Sequence, residues 1–273
     1  MLSDYSSIKM ALEIKKLEGW FEKQKLMKYL KDKYDNFYML FDLDNFNFFL
    51  GNSSFLYAKD GNDIRGVLLN YYHSSGIKDI WAYGDPSATR ELLDSVDRTF
   101  SVIHLRAEGN EDSFPDASKI YREYCMINAA PSGSPDRNVE VLSEDMYIQY
   151  GKLISQWENT RFVNMSMEEF RNLLGYSTVF GYFAGDKLVS VATLGAIWKG
   201  WFVISSVFTD PGYRNRGYVQ KLLSAMLHRY SNLDTAILFV NKDNAPAIRA
   251  YSKVNFSIYS EDLWVDYGTG LVP

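Results

Sequence analysis

A single cysteine, Cys125, cannot form an internal disulfide, which points to a reducing compartment such as the cytosol. His73, His104 and His228 are the only histidines, and none sits in a cluster with metal-ligand spacing. No apolar run approaches the ~18 residues needed to cross a bilayer. The stretch Met1 to Lys15 mixes polar and charged residues and has no apolar signal core. Basic excess is missing as well: 29 Lys and Arg face 34 Asp and Glu, a net charge of −5. That balance excludes a broad phosphate-binding surface. The expectation is a soluble, cytoplasmic protein whose partners include neither nucleic acid nor membrane.

Hydrophobic residues make up 47% of the 273-residue chain, enough for an ample core. Domains usually hold about 100 to 200 residues, so two compact units are expected. Proline is scarce, yet two of the seven fall within Ala129 to Asn138 beside a glycine and two serines. This is the one linker-like stretch, and it sets the expected domains at 1–130 and 137–273.

Upstream of it, Ile8 to Tyr34 spaces apolar residues at helical intervals, predicting two helices around Trp20. Strand-like runs follow at Asn45 to Leu50, Ser54 to Ala58 and Arg65 to Tyr72, the last two flanking a turn at Asp60-Gly61-Asn62. Lys78 to Tyr83 and Phe100 to Leu105 read as further strands. Between them Asp85 is placed to cap a helix with Pro86 in its first turn. This half is α+β.

Downstream, Asn138 to Leu142 reads as a strand. Ser143 is placed to cap a helix carrying Met146, Tyr150, Leu153 and Trp157 on one face. Ser166 with Glu169 predicts a capping box for a second helix to Leu174. Val179 to Ala184 and Lys187 to Ile197 flank Gly185-Asp186, a hairpin signal. Trp201 to Phe208 is the next strand. A helix follows, striped by Val219, Leu222, Leu223, Met226, Leu227 and Tyr230. Ala236 to Val240, Ala245 to Val254 and Phe256 to Tyr267 complete the order β-α-α-β-β-β-α-β-α-β, a mixed α/β sheet.

Chemistry concentrates where Val207, Phe208 and Thr209 end a strand and Arg214-Asn215-Arg216-Gly217-Tyr218-Val219 leads into a helix. A helix N-terminus offers unpaired N–H groups, glycine allows close backbone approach, and the arginines add cationic donors. Such a junction suits a pyrophosphate. It has neither Gly-Lys-Ser/Thr nor Gly-x-Gly-x-x-Gly, so it is not a Walker loop or a Rossmann turn. It resembles motif A of the GNAT N-acetyltransferase superfamily, Arg/Gln-x-x-Gly-x-Gly/Ala, with Val219 standing where a small residue is usual. Asn244, Ala247, Tyr251 and Asn255-Phe256 resemble motif B of the same superfamily, Asn-x-x-Ala-x-x-x-Tyr-x-x-x-Gly-Phe. Asn255 replaces the usual glycine, and Asn is the residue that best tolerates a left-handed helix end. The resemblance covers about the last 130 residues, and the pattern is closest to the FR47-like branch.

That resemblance implies the acyl-CoA N-acyltransferase fold, acetyl-CoA as co-substrate and a primary amine of a small molecule or peptide as acceptor. It implies cofactor contacts from Val207, Phe208, Thr209, Arg214, Asn215, Arg216, Gly217, Tyr218, Val219, Asn244 and Tyr251. A backbone N–H in Val207 to Thr209 would polarise the thioester carbonyl, and the Tyr251 hydroxyl would assist the departing thiolate as the catalytic group. No carboxylate lies in Trp201 to Thr209, so the general base is Glu158 or a water relay. Trp157, Phe162 and Trp264 are candidate acceptor-pocket aromatics. The N-terminal half has a similar rhythm and resembles a degenerate GNAT-like half in a tandem protein. It has no Arg-x-x-Gly after Tyr83, and Asp85 would repel phosphate, so no second coenzyme A site is expected there. The alternatives are a non-catalytic acyl-CoA-binding or regulatory module, and transfer of a different acyl group.

Overall fold

The computed structural model of the protein describes residues 12–49, 51–73, 75–157 and 165–271. The chain divides into two compact units. The first is Met1–Ile120 with Asp262–Thr269, and the second is Tyr121–Glu261 with Gly270–Pro273.

The first unit contains β1 (Glu13–Lys16), α1 (Trp20–Leu30), α2 (Phe37–Asp44), α3 (Phe46–Phe49), β2 (Ser53–Asp60), β3 (Asp63–Tyr72), β4 (Lys78–Gly84), α4 (Pro86–Asp94) and β5 (Ser101–Arg106). Its strand order is β1-β2-β3-β4-β5, closed by the end of β12 (Ser257–Tyr267), which pairs antiparallel with β5 from Asp262↔Arg106 to Tyr267↔Ser101. Leu68, Ile80, Leu92, Ile103, Leu263 and Val265 are among its buried core.

The second unit contains β6 (Lys119–Asn128), β7 (Val139–Val141), α5 (Tyr147–Ile154), α6 (Met167–Tyr176), β8 (Thr178–Ala184), β9 (Lys187–Trp198), β10 (Trp201–Thr209), α7 (Tyr218–Arg229), β11 (Thr235–Asn241) and α8 (Ala245–Ser252). Its strand order is β7-β8-β9-β10-β11-β6. One topology therefore runs twice: three antiparallel neighbours, a helical crossover to a parallel strand (β4 to β5, β10 to β11), then an antiparallel strand. That last strand is exchanged, since β6 follows the first unit's strands in the chain but pairs with β11, while the end of β12 pairs with β5. This exchange moves the division away from residues 130–137, and β6 is a strand for which the sequence reading had no counterpart.

Turn chemistry repeats too. The hairpins β2-β3 and β8-β9 both turn through two residues opened by a left-handed glycine, Gly61 (φ 58°) and Gly185 (φ 65°).

Several local expectations change. Glu13–Lys16 is a strand paired with β2, so only one helix, α1, lies between there and Lys31, and Ile8 lies outside the described residues. Phe46–Phe49 is a one-turn helix continuing from α2, although its Asn-Phe alternation mimics a strand. Asp85 makes no capping bond, because its carboxylate pairs with Arg65 at 2.7 Å. The Ser143 hydroxyl bonds Asp145 instead of capping, and a 3-10 turn (Glu144–Met146) precedes α5, leaving Trp157 beyond that helix. The Ser166–Glu169 capping box is present. Cys125 lies on β6 in the second unit, fully buried.

Candidate functional site

The site is set by how β10 leaves its parallel neighbour. Parallel pairing with β11 runs only from Trp201↔Thr235 to Val203↔Ile237, a third of the strand. On the other side β10 stays with β9 through Ile204↔Leu194 and Ser205↔Thr193, then skips Ser206 and Val207 before Phe208↔Val191. Ser206 takes φ 50°, a left-handed conformation that a non-glycine residue adopts only when its surroundings impose it. This bulge bends β10 away from β11, so Ile204–Thr209 has no strand partner on the β11 side. In the first unit β4 and β5 pair from Lys78↔Ser101 through Ala82↔Leu105, and no such gap opens.

Strand alternation sends Val207 and Phe208 to opposite faces. Val207 packs against the core that holds Tyr251, Tyr213, Tyr218, Val219 and Ala247. Phe208 joins the core of α5 and α6, where Trp157 stacks on it at 5.3 Å and 8°. Ser190 fixes the strand end, donating to the Phe208 carbonyl at 3.1 Å and bonding the Thr209 hydroxyl at 2.8 Å.

The loop to α7 is tied by Asp210, which the sequence reading passed over as a possible base. Its carboxylate accepts from the Gly212 N–H and pairs with Lys187, each at 2.9 Å. The Lys187 ammonium holds it below the ordinary carboxylate range, so Asp210 serves as a loop anchor and is a poor proton acceptor. Asn215 (φ 63°) and Gly217 (φ 77°) are both left-handed, and α7 begins at the next residue with no side-chain cap. The first intrahelical bond is Lys221 N–H to Gly217 C=O, leaving the N–H groups of the first turn without an intrahelical partner.

Arg214, Asn215 and Arg216 are exposed around this turn. Arg214 Nε donates to Thr209 C=O at 3.1 Å, and Arg216 donates to Gly212 C=O at 3.3 Å with its guanidinium over Tyr213. Each keeps further donors of its fork available. Tyr218 stacks on Tyr182 at 4.8 Å, so only its backbone N–H serves the helix mouth. Val219 turns into the core, which leaves the N-terminus of α7 uncovered despite the missing small residue.

Asn244 is the N-cap of α8. Its side chain accepts from Ala247 N–H at 3.2 Å, which explains the Asn-x-x-Ala spacing. Asn255 ends that helix at φ 67°, the left-handed conformation usual for glycine. Tyr251 is 7% exposed, and burial pushes its phenol well above the ordinary range, so it stays protonated. Among the described residues its hydroxyl makes no hydrogen bond. Of the remaining sequence candidates, Glu158 and Phe162 lie outside the described residues. Trp264 belongs to the first unit, where it meets His104 edge-on. Among the described residues no group of three or more His, Cys, Asp or Glu could hold a metal, and no helix is long and apolar enough to cross a membrane.

Residues 144–256 match the model of the acetyltransferase (GNAT) family. That stretch is a GNAT domain. Similar solved structures extend the likeness to the whole chain. A Drosophila protein aligns over 95% of this chain and 100% of its own at 11% identity, with a TM-score of 0.70. A GCN5-related N-acetyltransferase-like protein from Streptococcus suis covers 90% of this chain and 100% of its own at 13% identity and TM-score 0.59. A tandem GNAT protein from the clavulanic acid biosynthesis pathway covers 93% and 97% at 12% identity and TM-score 0.55. At such identities the likeness is one of fold. No curated protein sequence matches the chain. Acyl transfer is the chemistry of this family.

Proposed function

We propose that the C-terminal unit transfers the acetyl group of acetyl-CoA directly to a primary amine of a small molecule or peptide. The observation that carries this reading is the parting of β10 from β11 beyond Val203, beside the left-handed turn that opens α7. The pantetheine arm would lie in that gap as an added strand. Its pyrophosphate would sit at the mouth of α7, held by first-turn N–H groups with Arg214, Asn215, Arg216 and Gly217. Asn244 would act indirectly, by fixing the start of α8.

In the reaction the amine nitrogen attacks the thioester carbonyl carbon. A backbone N–H within Val207 to Thr209 stabilises the oxyanion, and the C–S bond then breaks as the carbonyl re-forms. Free thiols ionise near ~8.5 while a buried phenol holds its proton more tightly. Tyr251 therefore hydrogen-bonds the departing thiolate, and the proton lost by the amine leaves through water. Asp210 is tied to Lys187, which supports a water relay. The lone buried thiol, Cys125, suits the cytosol.

Isothermal titration of acetyl-CoA and free CoA into the wild type and an Arg214→Ala/Arg216→Ala variant tests the assignment. The expected result is wild-type binding weakened about 10- to 100-fold in the variant, the loss of one or two charged phosphate contacts. Absence of binding to folded wild type would overturn it. An amine panel that never stimulates CoA release would leave a binding module in place of an enzyme, and a longer acyl donor that outcompetes acetyl-CoA would revise the donor.

A further inference from the structure

The Phe208 side chain is 6% exposed in the core of α5 and α6, away from the part its backbone plays at the strand end. Two groups from different segments meet its ring. Trp157, just past α5 and half-buried, stacks on it at 5.3 Å and 8°. The Arg214 guanidinium lies over the same ring, its central carbon 5.6 Å from the ring centre. Arg214 Nε also donates to the carbonyl of Thr209, the next residue along β10, at 3.1 Å. Ser190 on β9, fully buried, pins this stretch through the Phe208 carbonyl and the Thr209 hydroxyl. An exposed arginine is thus held at two points on a strand end that is itself fixed.

Arg216 differs. Its guanidinium rests over Tyr213 at 5.2 Å and donates to Gly212, so its support comes from the same loop that carries it.

A guanidinium is attracted to an aromatic face by the ring quadrupole, and Arg stacks there as a plane. An arginine that rotates freely loses side-chain freedom when a ligand immobilises it. One that is already held loses less, and binding tightens accordingly. With Nε engaged on Thr209, the terminal Nη groups of Arg214 keep the paired donors that a phosphate takes up.

We propose that Phe208, backed by Trp157, is a positioning residue for the acyl-CoA donor, its ring holding the Arg214 guanidinium in the orientation that meets the pyrophosphate. This rests on the reading of the α7 mouth as the pyrophosphate site. Trp157, which leads out of α5, thereby tunes donor affinity through Phe208 and Arg214.

Isothermal titration of free CoA into the wild type, Phe208→Leu, Trp157→Leu, Arg214→Ala and the two ring-plus-arginine doubles tests it, with thermal melts to confirm folding. Leucine keeps apolar bulk in the α5–α6 core and removes the ring face. Phe208→Leu should weaken CoA about 2- to 5-fold, and Trp157→Leu should weaken it by a smaller factor. In the Arg214→Ala background neither change should weaken CoA further, because the group through which they act is gone. Weakening of equal size in both backgrounds is what a general loosening of the strand end would give, and it would overturn the proposal. A folded ring variant that binds CoA like the wild type would overturn it too. Should Phe208→Leu not fold, the Trp157→Leu cycle decides alone. A wild type that fails to bind CoA, or Arg214→Ala that binds it as well as the wild type, would instead remove the pyrophosphate assignment beneath the proposal.

Discussion

Tyr251 and Asp42 are both buried ionisable groups, and burial moves both pKa values up with opposite consequences. The phenol is kept in its neutral donor form. Since its hydroxyl makes no hydrogen bond among the described residues, Tyr251→Phe should leave the melting temperature nearly unchanged. It should lower kcat about 10- to 100-fold with little effect on CoA affinity, the range expected of one assisting group. Equal losses in kcat and CoA binding would remove it from the chemical step. Asp42, on α2, is pushed up to about 7 by burial. The folded state therefore holds its proton more tightly than the unfolded chain does. The stabilisation this gives is full below the unfolded value near ~3.9 and is lost as pH rises toward the folded value. Asp42→Asn should accordingly stabilise the protein at pH 8, by something on the order of 1 to 4 kcal/mol, with the difference shrinking toward pH 4. Thermal melts at the two pH values check it, and a gap that grows on acidification would contradict it. At this scale the sequence was legible where a local bond met no competing partner, unlike the caps expected of Asp85 and Ser143, whose side chains go to Arg65 and Asp145. Asn244 reaches three residues to Ala247, and Asn255 takes the left-handed turn expected of it. What could not be read was partnership across the fold, such as that of Asp210 with Lys187, 23 residues away.

Among the elements, α6 is held by a reciprocal cap in which Glu169 N–H donates to the Ser166 hydroxyl at 3.2 Å and Ser166 N–H donates to Glu169 at 2.7 Å. Ser166→Ala should cost about 1 kcal/mol, read as a fall in denaturation midpoint, and a neutral result would mean the helix end is held by packing alone. The hairpins at Gly61 and Gly185 and the helices α7 and α8 were visible beforehand because turn residues and helical stripes are local signals. The bulge at Ser206 was not, since a serine in a strand carries no mark of the register slip that its neighbours impose. For β6 the difficulty lay in its mixed face: its first residues are exposed and its last buried, so no clean two-residue alternation announces it.

For the molecule as a whole, the exchange of last strands decides which fragments can stand alone. A piece comprising residues 137–273 contains both sequence motifs but lacks β6, and so uncovers the edge of β11 from Ala236 to Asn241. Unpaired edges of this kind aggregate. That fragment is expected to be insoluble or to melt without a cooperative transition, and a soluble, cooperatively folding, monomeric 137–273 would contradict the reading of β6 as part of the second unit. The boundary was illegible because the linker at 129–138 lies on the far side of β6, so its composition does not mark the limit of a packed body. The same exchange also sets a clock on synthesis. Arg106 must wait for Asp262, a separation of 262 − 106 = 156 residues, before β5 gains its outer neighbour. A ribosome adding about 5 to 20 residues per second holds the first half with an open strand edge for many seconds. The half made first is thus the half finished last, and its open edge persists until the end of β12 emerges.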